Sequence, residues 1–258
     1  MTQLPSPSWR VVLRSYVFLV LIILLSGAFA LLLPFMVLPR SFVRRIFHAY
    51  LRIGLWLIEV VCDVRYVVVG RENIPPGPVL FASKHQSAWD SAVLPMLLGD
   101  PAAFVKREFL LAPIMGLVAW RMRHIPVARG KGVGPFAKAV ETARQTLAEG
   151  RSILIFPEGT RRCAAPYAKP DYHKGVAVLF QQLKAPCVPV ALNSGLVWPR
   201  RSILRPPGVI RVEILPLIPA STERTAFMGV LIDRIETASR RLAGVEASRG
   251  EELAAARC

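Results

Sequence analysis

At 258 residues the chain has room for one sizeable domain and an appendage, which excludes both a disulfide-stapled miniprotein and a pair of full enzymes. Apolar residues make up 53% and charged residues 19%, so the chain is no disordered tail and leans toward the membrane class. A formal charge of +16, from 33 basic against 17 acidic residues, directs attention to polyanions: phospholipid headgroups, nucleic acid or a phosphate-bearing substrate.

The first element is a stretch of 25 residues without a formal charge, Ser15 to Pro39, bounded by Arg10 and Arg14 before it and Arg40, Arg44 and Arg45 after it. It is long enough to cross a bilayer. A secretory signal would have a shorter apolar core and a small-residue cleavage site, so an uncleaved anchor is expected. Pro34 can kink it back into the same leaflet, and basic residues at both ends leave orientation and spanning open. From Ser41 to Cys62 a second helix is expected, with Arg44, Arg45, His48 and Arg52 in one stripe and Phe42, Phe47, Tyr50, Leu51, Trp56 and Ile58 elsewhere. Such a helix lies along an anionic membrane surface, or else turns its charged face to water above a core. Residues 1–62 are therefore read as a membrane anchor.

Residues 63–244 alternate strand-like and helix-like stretches. Strands are expected at Val64–Val69, Val79–Ala82, Ile125–Val127, Ile153–Phe156, Val188–Leu192 and Val209–Leu215. Helices are expected at Ser91–Leu98, Leu111–Arg121, Phe136–Glu149, Lys174–Leu183 and from about Thr222 to Leu242. This order predicts an α/β domain with a largely parallel central sheet flanked by helices. Residues 245–258 read as a C-terminal tail. Cys62, Cys163, Cys187 and Cys258 are widely separated, with neither zinc-ligand nor disulfide-framework spacing, so no metal is expected and a reduced, cytosol-facing domain fits best. Arginine outnumbers lysine 26 to 7, in keeping with a GC-rich bacterial source.

Two segments carry chemistry. Lys84-His85-Gln86-Ser87-Ala88-Trp89-Asp90 follows the strand ending at Ala82. If Asp90 accepts the Nδ1–H of His85, the imidazole tautomer is fixed and Nε2 is left to take a proton, which suits deprotonation of an alcohol attacking an acyl carbonyl. Ser87 and Asp90 also read as a helix capping box, and one carboxylate with two oxygens can serve both roles. Phe156-Pro157-Glu158-Gly159-Thr160-Arg161-Arg162 ends another buried strand in an acid, a glycine, a hydroxyl and two guanidiniums. Gly159 allows close backbone approach to a ligand and Arg161 can grip a phosphate through paired donors; the alternative is a surface turn with solvated arginines. Lys106-Arg107-Glu108 and Arg129 offer further cations after short apolar stretches, though exposed basic residues are commonly only solubilising.

Together His85 with Asp90, the Lys106–Glu108 segment, Phe156–Arg161 and Val188-Pro189-Val190 resemble, in order and spacing, the four motif blocks of the glycerolipid acyltransferases, most closely those that acylate 1-acyl-sn-glycerol 3-phosphate. The resemblance runs from about Val64 to Ile218. It implies His85 as general base and Asp90 as its orienting partner. It also implies Arg161, Lys106 and Arg129 as phosphate ligands, Glu158, Gly159 and Thr160 as an acceptor-binding loop, and a fourth block in the acyl donor's environment, although the two valines themselves read rather as core. Two positions depart from the pattern: Lys84, often asparagine, and Ala128, where an acid often precedes the arginine.

The expected activity is transfer of a fatty acyl group from acyl-CoA or acyl carrier protein, as co-substrate and with no other cofactor, to 1-acyl-sn-glycerol 3-phosphate, giving phosphatidic acid. The expected partners are a phospholipid membrane and these lipids rather than nucleic acid, and the expected place is the cytoplasmic face of a bacterial inner membrane. Another lysolipid acceptor, such as a lyso-ornithine lipid, is the alternative that Ala128 keeps open. A basic peripheral lipid-binding protein without catalysis is the other.

Overall fold

The computed structural model describes residues 8–128, 133–161 and 170–244, with backbone alone for residues 133–135. Helix α1, Trp9–Ala30, ends before a 3₁₀ turn, Leu33–Val37, with Pro34 in its first turn. Helix α2, Arg40–Cys62, runs back and stops at Asp63, whose φ of 52° takes the backbone into the left-handed region. The two helices are antiparallel, since Ser26 Oγ meets Tyr50 OH at 3.0 Å while Cys62 Sγ lies 3.6 Å from the carbonyl of Arg14. Among the described residues α1 alone is long and apolar enough to cross a membrane. Yet it lies against the rest of the protein along its length: Ser15 Oγ accepts the Arg205 N–H, Phe18 packs edge-on to Trp198, and Phe29 shares a core with Val118 and Met122.

The remaining elements are β1 Val64–Val69, β2 Leu80–Ser83, α3 Ala88–Leu97, β3 Ala102–Lys106, α4 Met115–Arg121, β4 Ile125–Val127, α5 Val133–Ala148, β5 Ile153–Ile155, α6 Gly175–Leu183, β6 Cys187–Leu192, α7 Ser194–Val197, β7 Gly208–Ile214 and α8 Arg224–Leu242. The strands form one sheet in the order β1-β7-β6-β2-β5-β3-β4, every neighbouring pair parallel except β6 with β7. The expected α/β architecture with a largely parallel sheet is thus present. Two elements were not expected, β3 and the single-turn α7. The helix expected from Leu111 begins only at Met115, because Arg107–Leu111 winds as a 3₁₀ turn and Pro113 follows it.

Alternation along the central strands divides the core in two. Leu80, Ala82, Cys187 and Ala191 face α5, α6 and α8, where Phe180 and Phe227 stack at 3.9 Å. Phe81, Val188, Val190 and Val212 face α2 and α3, against Ile58, Trp89, Val93 and Leu94. Val188 and Val190 are wholly buried core residues. With β2 covered on both faces and flanked by β5 and β6, the only way out for the chain is past its carboxyl end.

Candidate active site

His85 and Asp90 lie at that end of β2. Ser87 caps α3, and Asp90, in the helix's first turn, completes the capping box. The carboxylate is fully buried and takes five donors. Oδ2 accepts the backbone N–H groups of Gln86 and Ser87 at 2.7 and 2.8 Å and faces His85 Nδ1 at 3.2 Å. Oδ1 accepts the hydroxyls of Ser87 at 2.8 Å and Ser194 at 2.5 Å. Cap and dyad are therefore one group in two roles. With Nδ1–H directed at Asp90, Nε2 is the nitrogen left to exchange a proton. The ring is 4.1 Å from that of Phe156 and stacked on it, which removes much of its freedom to turn.

β5 is hydrogen-bonded to β2, so its end brings Glu158 to the same place. Glu158 is 1% exposed, and both its oxygens are engaged within the protein: Oε2 accepts the His85 backbone N–H at 3.0 Å and Oε1 meets Lys84 Nζ at 2.8 Å. Burial raises its carboxyl above the ordinary range, and the Lys84 ammonium beside it opposes that shift. Lys84, the position that departs from the family pattern, also meets Glu236 Oε1 of α8 at 2.7 Å, which in turn accepts Tyr172 OH at 2.8 Å. Burial, and next the Glu236 charge, push the Tyr172 phenol far up, so it stays a donor. The backbone of His85 is thereby tied to the last helix.

Gly159 has φ +59°, and a Cβ there would fall 2.7 Å from His173 Cδ2. The close approach that demands glycine is thus to His173, whose N–H donates to the Pro157 carbonyl at 2.9 Å. Thr160 is half-buried and Arg161 exposed in the same loop, where the Arg161 carbonyl accepts the Arg200 guanidinium at 2.8 Å. Lys106 is the last residue of β3, the next strand after β5, and is exposed there. β4, parallel to β3, ends at Val127, and Arg129 lies outside the described residues. Thus His85, Glu158 to Arg161 and Lys106 lie at the carboxyl ends of three adjacent parallel strands along one edge of the sheet.

Five participants escaped sequence reasoning. Ser194, with Gly195 whose N–H donates to Gln86 Oε1 at 3.0 Å, closes the far side of the dyad. The strand containing Val188 to Val190 delivers them and was the one available hint. His173, Tyr172 and Glu236 had no local signal.

The Acyltransferase family model matches residues 65–193. The chain is 32% identical over 212 residues to the 1-acyl-sn-glycerol-3-phosphate acyltransferase of Pseudomonas aeruginosa, a match covering 82% of this chain and 80% of that protein. It is 28% identical over 191 residues to the human 1-acyl-sn-glycerol-3-phosphate acyltransferase alpha, covering 72% of this chain and 66% of the other. The crystal structure of the 1-acyl-sn-glycerophosphate (LPA) acyltransferase PlsC from Thermotoga maritima superposes with a TM-score of 0.60 at 21% identity, over 92% of this chain and 97% of that one, a likeness of fold.

Proposed function

This chain belongs to the Acyltransferase family, and from that premise we propose that it moves a fatty acyl group from an acyl thioester to the free hydroxyl of 1-acyl-sn-glycerol 3-phosphate, giving phosphatidic acid. The observation that carries the reading is the shared sheet edge: an Asp90-held imidazole beside strand ends that present Arg161 and Lys106. Arg161 and Lys106 hold the phosphate. His85 Nε2 takes the hydroxyl proton as the oxygen attacks the thioester carbonyl. The C–S bond then breaks, the new ester is left on glycerol, and the thiolate of coenzyme A or acyl carrier protein leaves and receives the proton from His85. The imidazolium formed in between is stabilised by the Asp90 carboxylate.

Both lipids reach the site from a bilayer. Supporting this is α1, which is apolar, leaves most of its surface uncovered, and is fastened to the domain by one face. That arrangement favours a helix lying in one leaflet over one crossing both. The reading puts the site on the cytoplasmic side of a bacterial inner membrane.

Product mass spectrometry after incubation with mixed lysolipids and both classes of thioester tests the proposal. Phosphatidic acid is the expected product; dominant acylation of a lyso-ornithine lipid would overturn the acceptor assignment, and absence of any acylated product the whole reading. His85→Ala is expected to lower transfer by at least about 10³-fold while vesicle binding persists. Near-normal transfer by that variant would remove His85 from the mechanism.

A further inference from the structure

The 3₁₀ turn Arg107–Leu111 and α4 connect the site edge to the tip of the anchor. The two pack so closely that a Cβ on Gly116 would lie 2.3 Å from the Leu110 carbonyl oxygen. On the other side, Val118 and Met122 of α4 are buried against Phe29, Met36 and Val43 of the anchor. Arg121 donates to the Leu38 carbonyl, and its guanidinium carbon is 5.8 Å from the centre of the Trp120 ring, so Trp120 stands next to the anchor's turn. Beyond Arg107 and Glu108 at its start, this unit turns large apolar side chains outward: Leu111 is 83% exposed and Trp120 63%, with Phe109 at 44%. Across the junction Val37 is 87% exposed and Leu31 78%. A patch of this kind, continuous from a lipid-facing helix into a catalytic domain, marks an interaction surface.

We propose that Phe109, Leu111 and Trp120 form a second lipid-inserting element, by which the catalytic domain itself enters the bilayer interface beside Lys106. The occupant is a phospholipid surface because the patch continues the apolar face of α1 and is bordered by Arg107 and, next to Trp120, by Arg121, charges that meet anionic headgroups. Tryptophan beside arginine suits the depth at which headgroups give way to acyl chains. The anchor holds the protein on the membrane, and this element brings the phosphate-binding edge level with the headgroup of a membrane-borne acceptor. The inference rests on the reading of α1 as lipid-facing and on the proposed reaction.

The test uses the full chain on phosphatidylcholine–phosphatidylglycerol vesicles with brominated acyl chains. Bromine is expected to quench the wild-type fluorescence more than that of Trp120→Phe, the difference reporting Trp120 alone. A Leu111→Glu, Trp120→Glu double variant is expected to lose about tenfold in rate on vesicle-borne lysophosphatidic acid, while changing by less than about twofold on a short-chain acceptor dispersed as monomers. Equal quenching of wild type and Trp120→Phe overturns the proposal, whether or not the charged variant folds. So does equal loss on both acceptors, or a dimer in sedimentation whose formation shields Trp120 from the quencher. If the wild-type protein acylates neither acceptor the proposed reaction fails, and the quenching comparison still decides the fate of this element.

Discussion

Two aspartates, one in the first turn of α3 and one just past its end, are hidden from water almost equally, yet their oxygens are satisfied by opposite means. Asp90 takes backbone N–H groups, serine hydroxyls and one imidazole. Asp100, at 5% exposure and φ 68°, faces guanidiniums: Arg40 and Arg44 of α2, and Arg151 ahead of β5. Neutral donors support a carboxylate without cancelling its charge, so Asp90 keeps its pull on the histidine. Arginines cancel the charge and span distance, so Asp100 is a clamp between anchor and domain. The stripe read from sequence as meeting a membrane surface is thus partly spent inside the protein, where Arg44 serves this junction.

Asp90→Asn removes the charge while keeping the shape, and is expected to lower transfer by about 10²- to 10⁴-fold with the fold retained, measured as kcat on a monomeric acceptor. If kcat held, the contrast between the two aspartates would lose its functional meaning. Lys84→Met leaves Glu158 and Glu236 facing each other unpaired and is expected to cost about 3 kcal/mol in denaturant unfolding; adding Glu236→Gln is expected to restore part of it. Asp100→Asn is expected to cost only about 1–2 kcal/mol, because Arg40 and Arg44 keep access to water, and to leave kcat on a monomeric acceptor unchanged.

The pH dependence sharpens the same contrast. His124 is half-buried near this clamp, its Nδ1 accepting the Ala103 N–H at 3.1 Å, and desolvation followed by the Arg151 and Arg40 charges pushes its pKa down from 6.5 to about 3. The unfolded chain binds the proton more readily than the folded one. The stability that neutral His124 confers is therefore full above pH 6.5 and lost as pH falls toward about 3. Thermal melts across that window are expected to fall by about 1 kcal/mol per pH unit in wild type, with a shallower slope in His124→Asn.

Much of this was legible in the chain itself. Apolar, β-branched runs located six of the seven described strands, and the strand ends leading to His85 and Glu158 were identified because abrupt chemistry follows buried runs, whereas Lys106 was read only as a cation after a short apolar stretch. β3 was hidden because Ala102 and Ala103 lack the β-branched signature, and α7 because one turn has no period. The partners of the site were illegible for a different reason. Ser194 meets Asp90 across 104 residues and Glu236 meets Lys84 across 152, and only folding creates such neighbours. Gly159 was read as permitting close approach to a ligand; the close neighbour that the fold supplies is the imidazole of His173.

The pairing of β1 with β7 sets an order in time. A chain leaving the ribosome presents its greasy hairpin first, but Val64–Val69 has no strand to pair with until Gly208–Ile214 has been translated, and Lys84 waits still longer for Glu236. The apolar hairpin thus emerges before the candidate site can be completed, and an unfinished nascent polypeptide lacks the assembled sheet edge on which that site stands.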